Sequence, residues 1–164
     1  MWIVEKYVKY LIGFALVWFG LWFYRSCGCA KVQGSAMNPT YVSDEFLRID
    51  KGKTKPNQIQ SKDLVWFKYQ AEGSKEDGYL ARVIGMPGDR IAMKNGEVQV
   101  NGGPLAESEY IKPEFIKKNE NIPELIVPRG CYFLLVDNRK AAMPPDSRRF
   151  GPISVNAIYG KVKR

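Results

Sequence analysis

Tyr79 to Asp89 reads YLARVIGMPGD. An aliphatic, β-branched run carries Arg82 as its one charge and is then stopped by Met-Pro-Gly-Asp. That pattern predicts a buried strand ending in a tight turn over Pro87, Gly88 and Asp89. Working outward, DLVWFKY (63–69) is a second β-branched and aromatic run, and the polar AEGSKEDG (71–78) is the turn between them. Further upstream, EFLRID (45–50) alternates loosely before KGKTKPNQ (51–58) breaks it. Downstream, RIAMKNGEVQVNGGP (90–104) predicts a hairpin around Asn95-Gly96, with a second Asn-Gly turn after it. GCYFLLVDN (130–138) predicts another buried strand, NRKAAMPPDSRRFGP (138–152) a loop, and AIYGKVKR (157–164) a last short strand. Residues 106–126 are polar and interrupted by proline, which predicts an excursion with weak structure. No repeat is visible, and the expected fold beyond the N-terminus is mainly β.

The N-terminus differs in kind. Tyr10 to Tyr24, YLIGFALVWFGLWFY, has no charge. Alone it falls short of a ~30 Å hydrocarbon core. Tyr7, Val8 and the stem of Lys9 extend it on one side, Ser26 and Cys27 on the other. Tyr7 and Tyr10 at one end, and Trp18, Trp22 and Tyr24 towards the other, suit the two interfacial belts. The expectation is one transmembrane helix over residues 5–26. A buried core helix would show an amphipathic stripe, and none is visible. A cleavable signal peptide remains an alternative, because Gly28 and Ala30 are small residues spaced for a cut after Ala30. The flanking charges leave the orientation open. The expected division is an anchor over 1–27 and a β domain over 28–164, with a small insertion around 101–126.

Composition limits the function classes. With 45% hydrophobic and 26% charged residues, the chain of 164 residues is globular and long enough for one cored domain. The net charge of +8 is spread along the chain rather than gathered in a block. That argues against nucleic acid as a partner and suits a solvated surface or anionic lipid headgroups. Three cysteines, Cys27, Cys29 and Cys131, make no disulfide framework. With no histidine, no structural metal site is expected, and no cofactor motif is present.

The absence of histidine also removes the Ser-His-Asp triad and the Cys-His dyad. A Ser nucleophile with a Lys base, or paired carboxylates, would remain. A Lys base must lose about three pKa units from ~10.4, which requires an apolar, buried setting. A Ser-Lys enzyme should therefore carry a Ser in a tight loop and a Lys inside an apolar strand. The loop exists as GSAMNPT (34–40) and the strand as YLARVIG (79–85), but the strand has no Lys.

Here the chain resembles the type I signal peptidases, membrane-anchored Ser-Lys endopeptidases that remove signal peptides. VQGSAMNPT (32–40) resembles the nucleophile box V-x-G-x-S-M-x-P-T, and SDEFLRIDK (43–51) the segment after it. KDLVWFKY (62–69) resembles G-D-[IV]-V-x-F, and YLARVIGMPGD the base box Y-[IV]-K-R-V-[IV]-G-L-P-G-D. VPRGCYFLLVDNR (127–139), DSRRFGPI (146–153) and IYGK (158–161) resemble the final box. The likeness covers nearly the whole chain, with the motifs in one order behind one anchor. It implies a signal-peptidase-type β domain, signal peptides of exported proteins as ligands, contact with membrane lipid, a cytoplasmic N-terminus and a β domain outside the cell membrane.

The departures fall on the chemistry. Met37, Pro39 and Thr40 set the register of the first box, which places Ala36 at the nucleophile position. Tyr79 and Arg82 set the second, which places Ala81 at the base position. Ala142 stands where the family has a supporting Ser, Val136 replaces the usual Gly, and the spacer between Arg139 and Asp146 is longer than usual. A methyl group neither attacks a carbonyl nor takes up a proton, so the chain is expected to be inactive. Ser35 as a substitute nucleophile, and Lys68 or Lys94 as substitute bases, fit poorly: one step along an extended segment turns a side chain away from its neighbour's direction, and both lysines sit where a solvated side chain is the default. The resemblance implies a substrate groove lined by Val32, Gly34, Met37, Tyr79 and Leu80. It also implies structural charges at Arg82, Asp137, Arg139, Asp146 and Arg148, with Arg82–Asp137 the preferred pair. Two readings follow: a signal peptidase whose dyad was changed to Ala by design, or a natural, non-catalytic relative serving as a membrane-tethered peptide-binding or assembly factor.

Overall fold

The computed structural model describes residues 7, 10–19, 28–51, 58–69 and 77–163. Residues 10–19 form helix α1. The remainder of the expected 5–26 span, apart from Tyr7, lies outside the described residues. No helix among the described residues is long and apolar enough to cross a membrane.

Among the described residues eleven strands follow: β1 (Gly28–Lys31), β2 (Phe46–Asp50), β3 (Leu64–Tyr69), β4 (Asp77–Gly85), β5 (Arg90–Lys94), β6 (Glu97–Val100), β7 (Gly103–Pro104), β8 (Ile122–Ile126), β9 (Cys131–Leu135), β10 (Ile153–Ser154) and β11 (Ile158–Lys163). They make a seven-stranded sheet, ordered β1-β2-β11-β3-β4-β9-β10, and a four-stranded sheet, ordered β7-β6-β5-β8. The long apolar runs of β4 and β9 have a physical cause. Val83 and Tyr132, Leu134 and Val136 face the larger core, whereas Ile84, Phe133 and Leu135 face the smaller one. A strand buried on both faces loses the polar alternation of a half-exposed strand. The β5–β6 hairpin turns on Asn95 and Gly96, at φ 52° and 84°, the left-handed pair that a type I′ turn needs.

Two expectations are corrected. Residues 106–126 are not weakly structured: β8 pairs antiparallel with β5, and Ile111 is buried. Two of its acids, Glu107 and Glu120, meet buried arginines of the main body. The 138–152 segment is also not all loop, because Ser147–Phe150 forms a short helix, α2, capped by the Asp146 carboxylate at the Arg148 amide.

Candidate functional site

The loop between β1 and β2 and the strand β4 face each other across a cleft of about 390 Å³. Val32, Ala36 and Met37 line one side, Tyr79 and Leu80 the other, and Trp66 on β3 closes it beside Gly78. The edges are suited to an extended ligand. Among the described residues, β1 pairs only with β2, and the 77–81 part of β4 pairs only with β3, because its pairing with β9 begins at Arg82. Backbone groups on those open edges are available to a further strand.

Four of the expected groove residues, Val32, Met37, Tyr79 and Leu80, lie on the cleft wall. Gly34 does not. It sits in the exposed turn at φ +73°, where a Cβ would meet nothing within 4 Å, so its need is conformational rather than one of space. Ala36 lines the cleft, while Ala81 is wholly buried in the larger core behind it. Ala142 is exposed and off the cleft wall, but Pro145 of the same loop reaches it. Ser35, Lys68 and Lys94 are all exposed. Lys31 is the lysine on the cleft wall, and it pairs with Asp44 at 2.6 Å. The hydrogen bond from Lys31, helped by its charge, holds the Asp44 carboxyl below the usual range.

Behind the cleft lies a network of buried charge. Arg82 meets Asp137 through two bonds, Nε to Oδ1 at 2.8 Å and Nη2 to Oδ2 at 2.6 Å. The Thr40 hydroxyl also donates to Asp137. The Arg82 guanidinium stacks on the Tyr110 ring at 4.0 Å, and the Tyr110 hydroxyl donates to Glu107 at 3.0 Å. Burial, and then the Glu107 carboxylate, push the Tyr110 hydroxyl well above its ordinary pKa. Arg139 pairs with Glu107 at 2.5 Å, and Arg148 pairs with Asp146 at 2.8 Å and Glu120 at 2.7 Å. Burial pulls Arg148 down, but its bonds to Asp146 and Glu120 outweigh that and hold it above its ordinary value. Glu107, Tyr110 and Glu120 are partners that local sequence pattern could not supply, because each lies far along the chain from the arginine it meets.

The profile of the signal peptidase, peptidase S26, family matches residues 4–164. The chain belongs to the signal peptidase S26 family. A signal peptidase I of Bacillus caldolyticus is 37% identical over 142 residues, which is 80% of this chain and 74% of that protein. A signal peptidase IB of Staphylococcus aureus (strain COL) is 32% identical over 145 residues, 80% of this chain and 73% of that protein. A crystal structure of a signal peptidase I from Enterococcus faecalis V583 overlays with a TM-score of 0.48 at 26% identity, covering 64% of this chain and 97% of that one. In this member of the family, the cleft beside the Arg82–Asp137 pair presents apolar wall, open strand edges and a methyl group at position 36.

Proposed function

We propose that this chain is a signal-peptidase-type protein that holds signal-peptide segments of exported proteins in its cleft without cutting them. One observation carries the reading: the cleft keeps its wall and open edges, yet Ala36 on that wall and Ala81 behind it have no atom able to attack or to accept a proton. The lysine at the cleft, Lys31, is engaged by Asp44 instead. In this reading Val32, Met37, Tyr79 and Leu80 contact the peptide, Gly34 shapes the loop, and Ala142 marks a lost supporting hydroxyl. Residues 5–26 anchor the chain in the cell membrane, with the N-terminus cytoplasmic and the β domain outside, against lipid.

Between a natural relative and a dyad altered by design, Val136 favours the first. Its side chain is fully buried in the larger core where the family's Gly has none, so the surrounding packing is adapted to it. Ser and Lys codons at positions 36 and 81 of the coding gene would reverse that choice.

The test uses the full chain in detergent micelles with a preprotein and with a fluorescent Ala-X-Ala signal peptide. The preprotein should stay intact while the labelled peptide shows saturable polarisation. Specific cleavage at the signal-peptide site, or no saturable binding, overturns the proposal. The A36S/A81K double variant should stay inactive although folded, because Val136 and the longer loop also depart from the family pattern. Recovered cleavage would mark a disabled peptidase instead.

A further inference from the structure

Asp137, Asn138 and Arg139 are consecutive, yet each reaches a different part of the molecule. Asp137 binds Arg82 of β4. Asn138 binds the cleft loop twice, its backbone N–H donating to the Ala36 carbonyl at 2.9 Å and its side-chain Nδ2 to the Ser35 carbonyl at 3.1 Å. Arg139 reaches Glu107 in the 101–126 excursion. The Asn138 side chain has little freedom, since its Oδ1 accepts from the Lys140 amide at 3.2 Å. Arg139 is held as firmly, because its Nε donates to the Val136 carbonyl at 2.8 Å.

We infer that Glu107 is a positioning residue for the cleft: through Arg139 it fixes Asn138, and Asn138 fixes the loop that carries Ala36. The inference rests on the peptide-binding reading for its consequence, but not for its geometry. A bidentate or charge-assisted bond to a guanidinium sets orientation as well as adding energy. Arg139 is almost wholly buried, so removing that carboxylate leaves a buried guanidinium short of its charged partner. The guanidinium, then held through Nε at the Val136 carbonyl, turns its Nη2 towards another acceptor, and that bond passes the shift to the backbone around Asn138. The Ser35 and Ala36 carbonyls then lose their donors, and the cleft wall between Val32 and Met37 loosens. The excursion thus has a role that its polar sequence hides, since it braces the site from outside.

Hydrogen exchange separates this role from general bracing. The full chain in detergent is compared with Glu107→Ala, Glu107→Gln and Asn138→Ala, and with Glu109→Ala as control, because Glu109 is an exposed acid paired with Lys62. Glu107→Ala and Asn138→Ala should each speed exchange in peptides covering 33–41 and 136–142, leaving β3 unchanged. Glu107→Gln keeps an acceptor oxygen for Arg139 and should restore much of the protection. If Glu107→Ala does not fold, Asn138→Ala must still speed exchange in the same two peptides, and Glu107→Gln must speed it there to a smaller extent. Faster exchange spread equally through β3, or none at 33–41, overturns the inference. Binding of the labelled peptide should weaken roughly tenfold in Asn138→Ala. If the wild-type chain binds no peptide, the functional reading fails while the exchange result still decides the positioning role.

Discussion

Asp137 is wholly buried, and its charge is balanced by Arg82, itself nearly buried. Removing one member of such a pair strands the other charge in a low dielectric. Asp137→Ala should therefore lower unfolding free energy by about 3–5 kcal/mol, read as a fall in the urea midpoint at constant slope. A loss below ~1 kcal/mol would mean the pair is solvated. Tyr110 supplies a pH test. Its hydroxyl titrates higher in the folded protein than in the unfolded chain, so the neutral form is favoured by folding. The unfolded chain then gives up this proton first, and stability is full below ~10 and falls as pH rises above it. The midpoint difference between wild type and Tyr110→Phe should shrink from pH 9 to pH 11; a constant difference would refute the assignment. These contacts were only partly legible in the sequence. Likeness to the family suggested Arg82 with Asp137, but nothing local marks Glu107 for Arg139 or Tyr110 for Arg82, since neither burial nor long-range pairing leaves a period in the chain.

Strands with many apolar residues were legible, and those made of few or small residues were not. β3, β4 and β9 stand out because β-branched and aromatic side chains fill two cores. β1, GCAK, has no such payload, and nothing in its four residues marks a strand. β8, IPELI, carries Pro123 and mostly exposed residues, which is the pattern of an edge rather than a centre. β10 has two residues, too short for any alternation to register. β11 illustrates a constraint that works between elements. Its register shifts between Ile158 and Gly160, and a Cβ on Gly160 would lie 2.4 Å from Ile49 Cγ2 and 2.8 Å from the Asp50 carbonyl oxygen. One of those atoms is backbone in the neighbouring β2, so the strands must separate to admit a methyl group. Gly160→Ala should cost about 1–3 kcal/mol, seen as a lower thermal midpoint with unchanged far-ultraviolet circular dichroism. An unchanged midpoint would show that β2 and β11 have slack.

For the whole molecule, the open question from the sequence was whether the apolar N-terminus stays attached. Gly28 and Ala30 have the small side chains of a cleavage site, and an extended, accessible segment is what a peptidase must bind. In the fold that segment is already held along one edge. Cys29 pairs with Arg48 and Ala30 with Leu47, as β1 forms the last strand of the larger sheet. Cutting after Ala30 requires β1 to peel away from β2. That loses the strand ladder beside Leu47 and Ile49, two residues of the larger core. It also removes part of the cleft, because Ala30 belongs to its wall along with Lys31 and Val32. A chain that binds peptides through that wall gains nothing from being processed there. We therefore expect that an active signal peptidase, mixed with the full chain in detergent, leaves it uncut after Ala30, and that intact-mass measurement finds no species beginning at Lys31. Such a species under folding conditions would mean that β1 detaches readily and that the apolar segment is a leader rather than an anchor. In the Leu47→Asp variant, where the face beneath β1 is weakened, the same digestion should begin to cut.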